Sequence, residues 1–229
     1  MNHTLILASP KEMSWGLRYF LFQSLFLGSF LTLAASLLGI ALTPLALNLL
    51  FFAVNFVALL GICHSFLRNT ISYGLQNLKE CLIIVGVALL AHYGISAVLG
   101  MVIAAIDPGF ANANDNSIVQ IGQENYPLMV IGTVLLVPMA EEVMHRGVIF
   151  GMFYPRNRVL AYAISMAVFA LVHVSGYIGS VEPLTLLLCF VQYLPAGFLL
   201  AHAYERSGSL LTPILIHTVI NAIAMTVLR

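Results

Sequence analysis

Charge is what this sequence has least of. Only 8% of its 229 residues are Asp, Glu, Lys or Arg, while 61% are hydrophobic; a soluble globular domain carries about 25% charged residues. That scarcity excludes an ordinary soluble domain and places the chain among polytopic membrane proteins, with the lipid bilayer as its partner. The nine basic residues balance nine acidic ones and form no cluster, so nucleic acid is not an expected partner. Cysteine is equally sparse. Cys63, Cys81 and Cys189 make an odd count, each inside an apolar run. They read as small buried hydrophobes, which excludes a disulfide or cysteine-metal framework. No internal repeat, low-complexity tract or second domain is visible, so residues 1–229 read as one integral-membrane domain.

What is present is apolar sequence in long runs. A spanning helix needs about 20 mostly apolar residues, and about seven such segments follow one another: 16–41, 44–66, 78–105, 127–152, 158–177, 183–204 and 209–228. The first run, from about Trp15 to Ala41, exceeds the ~7–15 apolar residues of a cleavable signal and is expected to be a retained helix. Polar breaks separate the segments, among them "RNTISYG" at 68–74 and "YPRNR" at 154–158. The expected fold is all-α, a polytopic membrane helix bundle. Lys11, Arg18, Arg68, Lys79, Arg156, Arg158 and Arg206 all fall on one side of this arrangement, and the opposite side has only Arg229. Basic residues favour the cytoplasmic side, so the N-terminus is expected in the cytoplasm. Residues 106–126 form the one long external connection, polar and without periodicity, expected as a solvated loop or a flexible lid.

Against this background, "PMAEEVMHRG" at 138–147 is unexpected. Glu141, Glu142, His145, Arg146, His173, His217 and Asn221 all lie inside expected spans. Intramembrane ionisable groups are rare and are functional candidates by default. Residues four apart share a helix face. Glu142 therefore sits over Arg146 and can neutralise it, Glu141 sits over His145, and His217 shares a face with Asn221. At ~1.5 Å per residue, Glu141, His173 and Asn221 fall roughly 17, 23 and 18 Å from the cytoplasmic helix ends, and His217 about 12 Å. A common buried site is feasible. Gly147 and Gly151 form a G-x-x-x-G pair that lets a neighbouring helix approach, and Pro138 opens the helix ladder just before Glu141.

A carboxylate and an imidazole sharing one water can take its proton as it attacks a carbonyl. Glu141 with His173 fits that task. An imidazole N–H and an Asn amide can hold the resulting oxyanion, which fits His217 with Asn221.

The E-E-x-x-x-R of Glu141, Glu142 and Arg146, the F-x-x-x-H of Phe169 and His173, and the H-x-x-x-N of His217 and Asn221 occur in that order. Together they resemble the three motifs of the CAAX protease and bacteriocin-processing family, also called the ABI family. That family includes endopeptidases that remove the last three residues of prenylated proteins. The motifs cover 127–229, whereas helices in 1–105 resemble nothing specific. The resemblance implies an intramembrane endopeptidase of the glutamic type, without cofactor or metal, whose site opens to the cytoplasm. By motif position Glu141 and His173 activate water, His217 and Asn221 form the oxyanion hole, and Glu142 and Arg146 support the site. The expected substrate is a membrane-associated peptide or a lipidated, prenylated CAAX-type protein. Short loops and small size suggest a prokaryotic cell membrane.

Other intramembrane chemistries lack their motifs. There is no H-E-x-x-H, no G-x-S-G and no G-x-G-D, which disfavours the zinc, rhomboid and aspartyl types. A zinc site of two or three histidines with one carboxylate stays open as a rival. So do a non-catalytic immunity or interaction protein and a proton-coupled transporter, although no repeated half supports the last.

Overall fold

Prolines and short polar side chains set where the helices begin. Pro10, Pro44 and Pro183 occupy first-turn positions, where a missing N–H costs nothing. Ser9 and Glu12 form a reciprocal capping box, and Thr43, Asn125 and Asn157 each accept a backbone N–H at a helix start. The computed structural model describes residues 5–227, and every regular element among them is helical. Helix α1 is Pro10–Leu37, α2 Pro44–Ile62, α3 His64–Gln76, α4 Leu78–Ile106, α5 Ala113–Gly122, α6 Tyr126–Phe153, α7 Arg158–Ser175, α8 Pro183–Ser207 and α9 Leu211–Val227.

Helices α1, α2, α4, α6, α7 and α8 are long and apolar enough to cross a bilayer. The chain is an all-α, multi-pass integral membrane bundle. The seventh expected span corresponds to α9, a shorter apolar helix of 17 residues, about 26 Å long against a hydrocarbon core of ~30 Å. Leu25, Phe26, Leu33, Leu37, Leu90 and Val98 are more than half exposed. Apolar surface of this extent suits lipid, not water.

Two connections differ from expectation. Residues 68–74, read as a break, lie inside α3, because tertiary hydrogen bonds satisfy that helix's polar groups. Thr70 Oγ1 accepts from Leu210 N at 2.8 Å, and Thr70 O accepts from Ser209 Oγ at 2.6 Å. The 106–126 segment is not a plain loop. Asn112 caps α5 by accepting the N–H groups of Asn114 and Asp115, and its own amide donates to Gln192 on α8 at 2.8 Å. Glu124 then returns to cap α2, accepting from Thr43 Oγ1 at 2.6 Å and Leu45 N at 3.3 Å. Arg229 lies outside the described residues.

The core that carries α6 gathers Phe66, Val143, Met144, Val148, Phe150 and Tyr204. Close approach here depends on glycine. A Cβ on Gly147 would stand 2.5 Å from Phe66 Cε1, and one on Gly16 would stand 2.5 Å from Val148 Cγ2. The expected role of Gly147 in helix contact is thus filled by α3.

Gly147→Ala should therefore destabilise the protein by about 1–3 kcal/mol, the usual cost of overpacking a closed core, measured by denaturant unfolding in detergent micelles. A second expectation concerns Asp115 on α5. Burial raises its carboxyl above the ordinary value, outweighing the hydroxyl of Tyr193 and the ring of His173, which lower it. The folded state then binds this proton more tightly than the unfolded state. The contribution is full below the unfolded value of ~3.9 and is lost as pH rises through the raised folded value. Thermal melts across that window should fall in wild type and flatten in Asp115→Asn.

Candidate active site

Glu141 and Glu142 sit between two π-helical segments of α6, Gly132–Leu136 and Val143–Phe150, and His145 and Arg146 lie within the second. Pro138 has no N–H to give, and Val137 N–H donates back to Gly132 O, five residues earlier. That leaves Thr133 O for a partner outside α6. It accepts the amide of Asn221 on α9 at 2.9 Å.

Glu142 and Arg146 are both fully buried, and Arg146 Nε lies 3.1 Å from Glu142 Oε2. The N–H does not point along that contact, so neither atom counts as hydrogen-bonded; the attraction is between formal charges. The guanidinium also donates to Gly197 O at 3.2 Å and lies 4.7 Å from the centroid of Phe169. The spacing-based pairing of Glu142 with Arg146 thus stands as geometry. Not foreseen was a third member: His217 Nδ1 lies 2.8 Å from Glu142 Oε1. The carboxylate accepts from this nitrogen, which fixes the tautomer by its partner.

His217 then turns its Nε2 towards Glu141, 3.9 Å from Oε2. His173 Nε2 approaches the same oxygen at 3.8 Å. These gaps exceed a direct hydrogen bond and suit groups that share a bridging atom. Glu141 Oε2 is buried without a hydrogen-bond partner. His173 donates from Nδ1 to Phe169 O at 2.8 Å, which leaves its neutral Nε2 as an acceptor. Two carboxylates and one guanidinium leave the cluster with one negative charge when both imidazoles are neutral. A single added proton cancels it, and moving that proton among Glu141, His173 and His217 leaves the total unchanged.

The structure therefore brings Glu141, His173 and His217 together, with Glu142 and Arg146 behind them. Asn221 is one turn further along α9, tied to Thr133. His145 donates from Nδ1 to Glu141 O at 2.8 Å. It is wedged edge-on between Phe20 and Phe169. A cavity of about 420 Å³ reaches Glu141 and His145 between α1, α2, α6 and α7, lined also by Gln23, Phe52, Asn55 and Met144. Among the described residues no group of three or more His, Cys, Asp or Glu side chains is arranged to hold a metal ion. Sequence reasoning missed Tyr193, whose ring stacks on His173 at 4.3 Å and 30°. The adjacent polar pair Gln192–Tyr193 inside an apolar span was the available signal.

Residues 123–223 match the family described as Type II CAAX prenyl endopeptidase Rce1-like. The resemblance to the CAAX protease family is borne out. The matched segment contains all three motifs. The chain is also similar to the Bacillus subtilis (strain 168) protein named "Putative membrane peptidase YdiL", 28% identical over 138 residues, covering 55% of this chain and 52% of that one. The chain thus spans about half the length of this relative. No solved structure matches it.

Removing one partner of a buried ion pair costs about 3–5 kcal/mol, because the other charge is stranded. Glu142→Gln and Arg146→Met should each destabilise on that scale in denaturant unfolding. The double variant should lose clearly less than the sum, since neither stranded charge remains.

Proposed function

We propose that this protein is an intramembrane endopeptidase that hydrolyses a peptide bond with water activated by Glu141 and His173. The observation that carries the reading is the convergence of His173 Nε2 and His217 Nε2 on Glu141 Oε2, at 3.8 and 3.9 Å. The match to an endopeptidase family over residues 123–223 supports it.

In this reading a water between Glu141 and His173 gives up a proton as its oxygen attacks the scissile carbonyl carbon. Glu141 and the acceptor Nε2 of His173 are the two proton acceptors in reach. The carbonyl oxygen becomes an oxyanion. Asn221 uses one amide N–H on Thr133 O and keeps a second for the oxyanion. His217 donates from Nε2 only as an imidazolium, because Nδ1–H is engaged with Glu142. Glu142 thus supports the site by holding that ring and balancing its charge. The C–N bond then breaks, and the proton held by the Glu141–His173 pair passes to the leaving amine.

The substrate class proposed is a membrane-associated peptide or a lipidated protein of the prenylated CAAX kind. The site is proposed to serve the cytoplasmic side of a prokaryotic cell membrane, on the strength of the distribution of Lys and Arg.

Glu141→Gln removes the base with little change in volume. Comparative peptidomics of membranes carrying wild type or Glu141→Gln should show peptides or truncated termini produced only by wild type. On a purified substrate the rate should fall by about 10²–10⁴-fold, the usual contribution of a general base. Retained cleavage by a folded Glu141→Gln variant overturns the assignment. Activity should survive strong chelators; abolition reversed by added zinc would favour the metal reading.

A further inference from the structure

We propose that Tyr193 is the positioning residue for His173, and that the external connection carrying α5 holds it in place. This rests on the assignment of His173 to water activation, but the contact itself is independent of that assignment. The imidazole lies between two rings, Tyr193 at 4.3 Å and 30° and Phe169 at 4.5 Å and 46°. Phe169 also takes the Nδ1–H through its backbone carbonyl. One hydrogen bond fixes one ring atom and leaves rotation about the bond to it; a stacked face removes that freedom.

Tyr193 is itself held from outside the bundle. Its hydroxyl accepts from Asn114 Nδ2 at 3.1 Å, and Asn112 Oδ1 and Asp115 Oδ1 each stand 3.4 Å away as acceptors for its proton. Asn112 also donates to the neighbouring Gln192. All three residues belong to the capped first turn of α5. A phenylalanine would offer the same face to His173 but no handle for α5. The path is continuous: the α5 cap holds the phenol, the phenol face holds the imidazole, and the imidazole faces Glu141.

The stack also suits the chemistry. When His173 takes a proton it becomes a cation, and an aromatic face attracts a cation. The contact with Tyr193 therefore strengthens as the water is deprotonated.

The test uses the full chain in detergent micelles with isotope-labelled histidine, the His173 signals being assigned from the His173→Ala spectrum. Nuclei above an aromatic face are shielded, so Tyr193→Leu should move the His173 ring resonances downfield. Tyr193→Phe keeps the face but releases the whole clamp, so it should retain more shielding than Tyr193→Leu while shifting or broadening the His173 signals at least as much as the loss of one clamp contact. Asn114→Ala, which removes one clamp contact and leaves the Tyr193 ring itself unaltered, should shift or broaden the His173 signals while those of His202 stay in place. Unchanged His173 resonances in Tyr193→Leu, or in Asn114→Ala, overturn the proposal.

A kinetic arm uses a peptide found to be cleaved by wild type. There Tyr193→Leu should lower kcat about ten- to a hundredfold with little change in KM, and Tyr193→Phe, which keeps the face without the clamp, should fall between Tyr193→Leu and wild type. Equal loss in kcat and in folded yield, without a change in the His173 spectrum, would mark Tyr193 as structural only. If wild type cleaves nothing, the protease reading fails while the spectra still decide the stacking.

Discussion

Everything in the site hangs on one buried carboxylate. Glu142 is fully enclosed, and an enclosed charge is tolerated only when paired and hydrogen-bonded. It meets that condition with Arg146 on its own helix and with His217 on another. The first contact is local and neutralising. The second ties α9 to α6 and turns the far edge of the imidazole towards Glu141. A purely apolar substitute for the Glu142–Arg146 pair could pack as well, but it would leave the His217 ring unoriented. The pair is thus better explained by direction than by stability.

Backbone irregularity supplies the second tie. Pro138 and the π-helical turn before it free one carbonyl, that of Thr133, and Asn221 occupies it. His217 and Asn221, one turn apart on α9, therefore contact α6 at Glu142 and at Thr133, nine residues apart. Helix α9 is clamped in register and rotation by two polar contacts in an otherwise apolar interface. In a low-dielectric setting an unmade hydrogen bond is costly, so each clamp disfavours the sliding that apolar packing alone would permit.

How much of this was legible in the sequence depends on distance along the chain. The span order, the Glu142–Arg146 pair and the shared face of His217 and Asn221 follow from hydropathy and helical spacing, which are local properties. The convergence of three helices on Glu141 rested on motif resemblance. The Glu142–His217 bond joins residues 75 apart, and no periodicity encodes it. Helix α5 was read as a loop because its ten residues lack an apolar stripe; its capping Asn112 and its contacts with Gln192 and Tyr193 stabilise it instead. Short polar helices are decided by such tertiary partners and not by propensity.

The same contacts bear on how the site meets its surroundings. His173 lies in the last turn of α7, next to the connection that leads to α8. On that side the cap of α5 and the ring of Tyr193 stand over it. The cavity of about 420 Å³ instead approaches Glu141 from between α1, α2, α6 and α7, beside the π-helical turn Gln23–Leu27 of α1. Its lining mixes amides and hydroxyls (Gln23, Ser24, Asn55) with Phe51, Phe52 and Met144, and includes no Lys or Arg. A negatively charged group entering it would find no Lys or Arg in the lining to compensate it, at a cost that low dielectric magnifies. Neutral backbone with apolar side chains meets no such penalty, since the amides can be hydrogen-bonded and the side chains packed. The cavity and the ionisable cluster thus make the same demand: charge is confined to the few groups that the helices hold in place.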